Sequence, residues 1–197
     1  QTYIWIEIVV IDDCSTDETK ILLNKNSNLY TKIIELRNNL GKGGAVREGL
    51  LKASGEYVLF QDGDLEYDPN DYQKIFNALN KNQAEIVIGS RFLTPEYTNI
   101  YYFFNKLGNY LITFLFNLLF RTKFTDIYSC YLCFRKDLIN PRELKSNGWE
   151  QQAEILALAV KTSERHYEVP ISYSGRSFEE GKKIKARHIF KVLSMII

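Results

Sequence analysis

The sequence predicts an α/β fold built around a mostly parallel sheet. Short runs of β-branched and aromatic residues alternate with helical segments of about ten to fifteen residues. This alternation is typical of βαβ units, in which a crossover helix joins two parallel strands. The chain of 197 residues is long enough for one domain with a hydrophobic core. We expect one domain over residues 1–197, truncated at both ends.

The first predicted elements are a strand and a helix. YIWIEIVVI (3–11) is rich in β-branched and aromatic residues and stops at Asp12, which is typical of a buried strand. STDETKILLNKN (15–26) follows as a helix, with Ser15 or Thr16 as the expected N-cap and acidic residues in its first turn.

The following segments continue the alternation. TKIIELR (31–37) is the second predicted strand, and apolar residues recur at helical spacing through 43–54. EYVLFQ (56–61) is the third strand, and 69–82 is a helix with a proline near its first turn. AEIVIGS (84–90) is the fourth strand. We expect these strands to lie in one sheet flanked by the helices.

Acidic residues follow two of the predicted strands. Asp12 and Asp13 end the first strand, and Asp62 and Asp64 come directly after the third. Ligands of such sheets bind outside the carboxyl ends of the strands. We therefore expect two acidic clusters on the same edge of one sheet.

The stretch EYVLFQDGDLEYDP crowds four carboxylates, those of Asp62, Asp64, Glu66 and Asp68, into seven positions. Like charges this close repel, so they persist either solvated in a turn or around a cation. The stretch alone leaves both interpretations open. Asp62 and Asp64 are one residue apart, so both can reach one ion. Oxygen ligands suit Mg²⁺ or Mn²⁺ and not zinc.

Composition excludes several other classes of site. A net charge of +1 argues against bulk electrostatic binding of nucleic acid. Three cysteines are too few for a disulfide framework, and the C-x-x-C of Cys130 and Cys133 lacks a second pair, so we interpret both as reduced structural residues. GKGGA (41–45) lacks the spacing of a phosphate-binding P-loop.

Residues 99–120 form an apolar segment with a narrow polar stripe. Asn105, Asn109, Thr113 and Asn117 recur every four residues, as on one face of a helix. The uninterrupted apolar length is too short for a transmembrane span. Two interpretations remain open: a core helix, or a helix that lies on a membrane interface or lines a lipid groove.

The C-terminal stretch GKKIKARHIFKVLSMII (181–197) places basic residues before an apolar run. A basic run is commonly a solvated face. Basic residues next to an apolar helix fit an anionic membrane surface better, so we expect a membrane surface as a partner.

Three blocks in the first third of the chain carry a family resemblance. VVIDDCSTDET (9–19), NLGKGGAVREG (39–49) and SGEYVLFQDGDLEYDP (54–69) occur in this order and at matching spacing. Together they resemble the family-2 glycosyltransferases of the GT-A fold. The resemblance implies a GT-A type fold, with a mostly parallel, Rossmann-like sheet flanked by helices, and a single glycosyltransferase catalytic domain.

Three later blocks narrow the resemblance. GSRF (89–92), FTDIYSCYLCFRKDLI (124–139) and EVPISYSGRSFEEGKKI (168–184) resemble the polyprenyl-phosphate branch, the dolichyl-phosphate mannose synthase-like enzymes. Relative to the family, we expect the chain to lack the first strand, with its Pro and its Tyr-Asn-Glu loop, before Gln1. We also expect it to lack, after Ile197, the long C-terminal region that in some relatives contains transmembrane helices.

The resemblance assigns roles to individual residues. Those implied to bind the nucleotide sugar are Asp12, Asp13, Lys42, Asp62, Arg91, Arg176 and Lys182. Those implied to hold Mg²⁺ or Mn²⁺ are Asp62, Asp64 and Glu66. Those implied to be catalytic are Asp126 and Arg176.

The arginines suit phosphate because a planar guanidinium matches phosphate oxygens, and Lys182 adds a point charge. For Arg91, a surface ion pair is the alternative interpretation. Asp126 matches an acid in the acceptor half of the family's site. It would orient the acceptor or the attacked sugar.

The expected activity is inverting transfer of a hexose from a nucleotide diphosphate sugar to a polyprenyl phosphate such as dolichyl or undecaprenyl phosphate. The expected place is the cytoplasmic face of a membrane, with no nucleic-acid partner. Two alternatives remain: transfer to a saccharide hydroxyl, for which Asp126 must act as a base, and a catalytically inactive nucleotide-sugar-binding or scaffold domain.

Overall fold

The structure is a computed structural model that describes residues 5–93 and 103–175. The strands are β1 (Val9–Asp12), β2 (Lys32–Glu35), β3 (Tyr57–Leu59), β4 (Ile86–Ser90), β5 (Leu132–Arg135) and β6 (His166–Pro170). The helices are α1 (Thr19–Lys25), α2 (Gly41–Lys52), α3 (Tyr72–Asn82), α4 (Phe103–Phe120) and α5 (Gln151–Val160). Each of the four predicted strands and three predicted helices up to residue 90 is present. Most are shorter than predicted, but β1 ends one residue later, at Asp12, and α2 begins and ends two residues earlier.

Strands and helices alternate as predicted, and the α/β class is confirmed. β1 pairs with β2 in parallel, and β4 pairs with β6 in parallel. β5 lies between β3 and β4 and is antiparallel to both. The alternation of strand and helix did not predict this reversed strand.

Hydrogen bonding divides the described strands into two sheets, β1–β2 and β3–β5–β4–β6. The prediction that the acidic clusters lie on one sheet is therefore wrong in this respect, since β1 and β3 belong to different sheets. Tertiary contacts around α2, described below, nevertheless bring the two clusters to the same place.

The start of α1 differs from the predicted one. The helix begins at Thr19 after Glu18, whose side chain makes no capping hydrogen bond, and its first turn contains no acid. The carboxylate of Asp17 instead accepts the N–H of Thr19 at 3.0 Å. Ser15 and Thr16 lie too early in the chain to cap this helix.

β4 is the centre of the core, and all five of its residues are buried. Ile86 and Ile88 belong to an apolar cluster that includes residues of α4 and α5. Val87 belongs to a second cluster, with Ile75 of α3 and Tyr131. Side chains alternate across a strand, so β4 joins two apolar layers and supplies a rigid frame for the loops at its end.

Cys130 and Cys133 are buried free thiols, which confirms their interpretation as reduced residues. Burial raises the pKa of each thiol to about 12. A thiol with such a pKa remains protonated near neutral pH, which keeps it unreactive.

Three residues of the polar stripe of α4, Asn109, Thr113 and Asn117, face inward. Asn117 accepts the N–H of Phe124 at 2.9 Å and donates its amide to the carbonyl of the same residue at 2.7 Å. Thr113 accepts the N–H of Ile127, and the Asn109 amide donates to Asp126 at 2.7 Å. The stripe therefore fixes the segment that leads into Asp126. In the described part of the chain, no helix has the length and hydropathy needed to cross a bilayer.

Candidate active site

The acids at the end of β1, Asp12 and Asp13, contact neighbouring backbone. One oxygen of Asp12 accepts the N–H of Ser15 at 3.1 Å, and the other lies 4.0 Å from the ammonium of Lys20. Asp13 reaches further: its oxygens accept the N–H groups of Leu40 at 2.7 Å and Gly41 at 2.9 Å. A carboxylate is stabilised at a helix N-terminus by such N–H groups and by the helix dipole. Asp13 thus ties the end of β1 to the start of α2.

The first turn of α2 also reaches the acids after β3. The ammonium of Lys42 lies 2.6 Å from a carboxylate oxygen of Asp62 and 4.9 Å from the centre of the Trp149 ring. Gly41 and Lys42 are consecutive, so the two acidic clusters meet at the N-terminus of α2. Asp13, Asp62 and Lys42, three residues of the predicted nucleotide-sugar site, thus lie together, and their binding role stays a prediction.

Two glycines let a neighbouring loop approach α2. A Cβ on Gly43 would lie 2.8 Å from the carbonyl carbon of Ser146, and Gly41 has a φ of +76°. The N–H of Gly43 donates to the carbonyl of Asn147 at 2.9 Å. Glu154 of α5 holds the same loop by accepting the N–H of Ser146 at 2.9 Å. The glycines of GKGGA therefore serve close backbone packing beside Lys42.

The turn after Asp62 carries the other predicted metal ligands. Asp64 accepts the N–H of Glu66 at 3.2 Å, and Glu66 accepts the hydroxyl of Tyr173 at 3.1 Å. Asp68 accepts the N–H of Asn70 at 2.9 Å and so caps the short 3-10 turn that precedes α3. The crowded stretch thus contains one ordinary cap, beside the three acids predicted to bind metal.

Within residues 5–93 and 103–175, no three His, Cys, Asp or Glu side chains form a group that could hold a metal. The predicted trio of Asp62, Asp64 and Glu66 is not gathered into one cluster. The donor chemistry of Asp62 and Asp64 still fits Mg²⁺ or Mn²⁺, which take one or two carboxylates plus substrate phosphates. A Cβ on Gly63 would meet no atom within 4 Å, so open space borders the turn between the two carboxylates.

Arg91 and Asp126 form a buried, two-point ion pair. Nε of Arg91 donates to Oδ2 of Asp126 at 2.7 Å, and Nη2 donates to Oδ1 at 2.9 Å. The Asp126 side chain has no exposed surface. The structure thus places Arg91 in an ion pair, but in a buried one and not at the surface, and the ring of Tyr173 lies 5.0 Å from its guanidinium carbon.

Burial and neighbouring charge shift the pKa of Asp126 in opposite directions. Burial raises its pKa, but the charge of Arg91 and the hydrogen bonds from Arg91 and Asn109 outweigh burial and leave the pKa below its ordinary value. The pKa of Arg91 lies well above its usual range, because the charge of Asp126 outweighs the effect of burial. Both groups are therefore held in their charged forms.

Glu168 of β6 is a residue that sequence reasoning missed. Its two oxygens accept the N–H of Thr125, each at 2.9 Å, and one accepts the N–H of Asp126 at 3.2 Å. Burial raises the pKa of Glu168. Glu168 opens the block EVPISYSGRSFEEGKKI, and that position was the available signal. Arg176 and Lys182 lie outside the described residues, so their predicted roles stay predictions.

Comparison of the sequence with known protein families classifies the chain. Residues 1–140 match the family described as Glycosyl transferase family 2. The chain belongs to glycosyl transferase family 2. The predicted family is thereby confirmed, and the meeting of acids around α2 is a feature of this family-2 domain.

Relatives of this family-2 domain are similar to it in sequence over most of its length. It is 32% identical to a dolichol-phosphate mannosyltransferase of Pyrococcus furiosus, over 96% of this chain and 54% of the relative. It is 31% identical to a dolichyl-phosphate beta-glucosyltransferase of Saccharomyces cerevisiae, over 85% of this chain and 56% of the relative. The chain thus spans about half the length of these curated relatives.

Solved structures share the fold of the family-2 domain. Glucosyl-3-phosphoglycerate synthase of Mycobacterium tuberculosis, crystallised with Mn²⁺, UDP-glucose and phosphoglyceric acid, matches with a TM-score of 0.64 and 17% identity, over 95% of this chain and 68% of that one. TarS of S. aureus matches with a TM-score of 0.57 and 18% identity, over 96% of this chain and 60% of that one. These likenesses confirm the predicted GT-A type fold.

Proposed function

We propose that this family-2 domain transfers a hexose, with inversion, from a nucleotide diphosphate sugar to a polyprenyl phosphate. The names of the relatives support the acceptor class. The observation that carries the proposal is the buried Arg91–Asp126 ion pair. The acceptor is a lipid, so the proposed place of action is a membrane surface, on its cytoplasmic face.

The ion pair favours a phosphate acceptor over a hydroxyl. A hydroxyl must lose its proton in the transition state, and a base suited to this has a pKa near the working pH. The pKa of Asp126 is lowered instead, and both of its oxygens accept hydrogen bonds from Arg91 and Asn109. Asp126 is thus a weak base, and a nucleophile that is already an anion does not need one.

The proposed step is a single in-line displacement. An oxygen of the acceptor phosphate forms a bond to the anomeric carbon while the bond from that carbon to the diphosphate breaks. The electron pair of the broken bond leaves with the diphosphate, and no proton is transferred. The chemistry therefore depends on positioning and on stabilisation of the leaving charge.

The residues at the N-terminus of α2 would receive the leaving diphosphate. Asp62 and Asp64 would hold Mg²⁺ or Mn²⁺, which when bound neutralises charge on the diphosphate. Lys42 supplies a cation at the same place, 2.6 Å from Asp62. Arg176 and Lys182 are proposed to contact the phosphates from the C-terminal block. Asp12 and Asp13 are proposed to bind the nucleoside.

The test is a transfer assay. The chain is incubated with Mn²⁺, a panel of labelled nucleotide sugars, and either a short-chain polyprenyl phosphate in detergent or a series of saccharides. We expect labelled lipid product from one donor, and loss of product when the metal is chelated. Transfer to a saccharide without transfer to the lipid phosphate would contradict the proposal, and so would absence of both.

A further inference from the structure

Lys42, in the first turn of α2, contacts a carboxylate and an aromatic ring. Its ammonium lies 2.6 Å from Oδ2 of Asp62 and 4.9 Å from the centre of the Trp149 ring. The side chain of Lys42 is 21% exposed and that of Asp62 is 27% exposed. Salt screens a partly buried ion pair less than an exposed one. Lys42 is therefore an effective counter-ion of Asp62, one of the two carboxylates proposed to hold the metal.

The position of Lys42 opposes the dipole of its own helix. α2 begins at Gly41, and the N-terminal end of a helix carries partial positive charge. A cation is favoured at the other end, where Lys52 lies in the last turn. The charge of Lys42 is stabilised instead by Asp62 and by the ring of Trp149. Its ammonium becomes available to another anion when Asp62 gains another cation.

The backbone donors at the start of α2 are already bound within the protein. Asp13 accepts the N–H groups of Leu40 and Gly41. The N–H of Gly43 donates to a carbonyl of the neighbouring loop at 2.9 Å. Unpaired N–H groups at a helix N-terminus are the usual partners of a phosphate. A diphosphate that binds here therefore has to take a positive partner from a side chain, and Lys42 supplies one.

We infer that Lys42 exchanges partners: its ammonium is the counter-ion of Asp62 until a divalent cation binds there, and it then pairs with the diphosphate of the nucleotide sugar. The inference rests on the proposed function, in which Asp62 is a metal ligand. An ammonium and a divalent cation at one carboxylate repel each other strongly, because they are only a few ångströms apart. Lysine suits the exchange, since its charge is compact and its four-carbon stem is flexible.

The exchange adds to the coupling between binding of the metal and binding of the diphosphate. A divalent cation that binds alone has to displace Lys42 from Asp62, which lowers its affinity. When the diphosphate is present, the displaced ammonium gains a new anion, and the affinity for metal rises. Coupling between two ligands is reciprocal, so the metal raises the affinity for the diphosphate by the same factor. Lys42 thereby disfavours a metal that carries no substrate.

The first experiment measures binding of Mn²⁺ to the chain without nucleotide, by calorimetry. Lys42→Met removes the competing ammonium and keeps a long side chain, so the affinity for Mn²⁺ should rise by about tenfold, within the usual range of coupling between sites. Lys52→Met is the matched control, because it removes one exposed cation from the other end of the same helix and should bind Mn²⁺ like the parent.

The second experiment titrates a nucleoside diphosphate at saturating Mn²⁺. Lys42→Met should now bind about tenfold more weakly than the parent, since the diphosphate has lost the ammonium. A lysine that only binds phosphate would leave the affinity for Mn²⁺ alone unchanged. A lysine that only ties α2 to the turn at Asp62 would leave the affinity for the diphosphate unchanged. Either result would overturn the exchange.

A third measurement keeps Lys42 in place and so does not depend on the folding of its variant. The chain has two tryptophans, and Trp5 is 94% exposed, so Trp5→Phe leaves Trp149 as the reporter. Mg²⁺ alone should change the fluorescence emission of Trp149, because the ammonium leaves its ring. Unchanged emission at concentrations of Mg²⁺ that saturate the site in calorimetry would contradict the exchange.

The outcomes also separate this inference from the proposed function. Opposite changes of the two affinities in Lys42→Met, in a chain that transfers a hexose to a saccharide and not to a lipid phosphate, would defeat the proposed acceptor alone. Transfer to a polyprenyl phosphate, with the affinity for Mn²⁺ unchanged in Lys42→Met, would defeat the exchange alone. Absence of Mn²⁺ binding with and without the diphosphate would overturn both the exchange and the metal role.

Discussion

The guanidinium of Arg91 holds both carboxylate oxygens of Asp126, at 2.7 and 2.9 Å, and the Asp126 side chain has no exposed surface. The backbone N–H of Arg91 adds a third contact at 3.2 Å. Two parallel bonds of this kind fix orientation as well as charge. The pair joins the end of β4 to the loop before β5, so it is at once a structural tie and part of the candidate site.

The losses of stability from removing the two partners of this ion pair should not add. Arg91→Ala leaves the Asp126 carboxylate buried without its cation, which should lower the free energy of unfolding by about 3–5 kcal/mol. The double variant Arg91→Ala/Asp126→Asn should lose less than the sum of the single variants. Urea denaturation of the four proteins measures this cycle, and strictly additive losses would contradict the coupling.

Glu168 should make stability fall as pH rises. Burial raises its folded-state pKa, so its contribution is complete below the unfolded value, about 4.3, and declines as pH rises through the folded value. Asp126, whose folded-state pKa is lowered, acts in the opposite sense, and its contribution is lost only as pH falls below about 4.

The measurement for Glu168 is the free energy of unfolding between pH 4 and 7, compared with Glu168→Gln. The parent should lose stability across this range relative to the variant. Glu164→Gln, at an exposed neighbouring position, is the control and should follow the parent. Parallel curves for the parent and Glu168→Gln would show that burial does not govern this carboxyl.

Gly43→Ala should disturb the packing of α2 against residues 146–147. The added Cβ would lie 2.8 Å from a backbone carbon of Ser146, and backbone cannot turn away as a side chain can. We expect a loss of about 1–3 kcal/mol of stability, as for other overpacked sites. Gly49→Ala is the control, because its Cβ would meet only the Ile11 side chain at 3.2 Å, and alanine favours a helix by about 1 kcal/mol. Thermal unfolding measures both variants, and a lower melting temperature for Gly49→Ala than for Gly43→Ala would refute this view.

Asp64→Ala should abolish metal-dependent binding of a nucleoside diphosphate without unfolding the domain. Asp64 lies in a turn beside open space at Gly63, so its loss leaves the core intact. Calorimetry with the diphosphate, in the presence and absence of Mn²⁺, measures the effect. Asp68→Ala is the matched control, since Asp68 caps a 3-10 turn and should not alter metal dependence. Unchanged affinity in Asp64→Ala would remove the metal role.

The order of the elements was readable in the sequence because strand and helix periodicity are local properties. The antiparallel placement of β5 was not, since its partners Tyr57 and Ile86 lie far from it in the chain. The polar stripe of α4 was visible in the sequence, but whether it faces the protein interior or the solvent was not. The pattern on one helix does not show which face packs against the rest of the protein. Hydrogen bonds to Phe124 and Ile127 settle that direction.

In the candidate site, too, local features could be predicted from the sequence and long-range contacts could not. Asp62, Asp64 and Asp126 were found from motifs, which are local. The pairing of Arg91 with Asp126 spans 35 positions, and the contact of Glu168 with Asp126 spans 42. Such long-range pairs decide whether a carboxyl can act as a base, and one sequence does not contain that information.

Relative losses of rate should separate phosphate acceptors from hydroxyl acceptors. If Arg176 clamps phosphate in the transition state, Arg176→Lys should lose about 10²-fold or more in rate, because one ammonium cannot replace a two-point guanidinium. Asp126→Asn should cost far less, since the acceptor is already an anion and Asp126 is held by Arg91. A general base, by contrast, contributes about 10²- to 10⁴-fold. Turnover is measured with a short-chain polyprenyl phosphate, at a temperature where circular dichroism shows each variant folded.

The control for this comparison is Arg142→Lys, at an exposed position, which should turn over at the parental rate. It separates the loss of a guanidinium at the phosphates from a general effect of exchanging arginine for lysine. A larger loss for Asp126→Asn than for Arg176→Lys would reverse the conclusion. It would mean that Asp126 leaves its ion pair when substrate binds and takes a proton, and the acceptor would then be a hydroxyl.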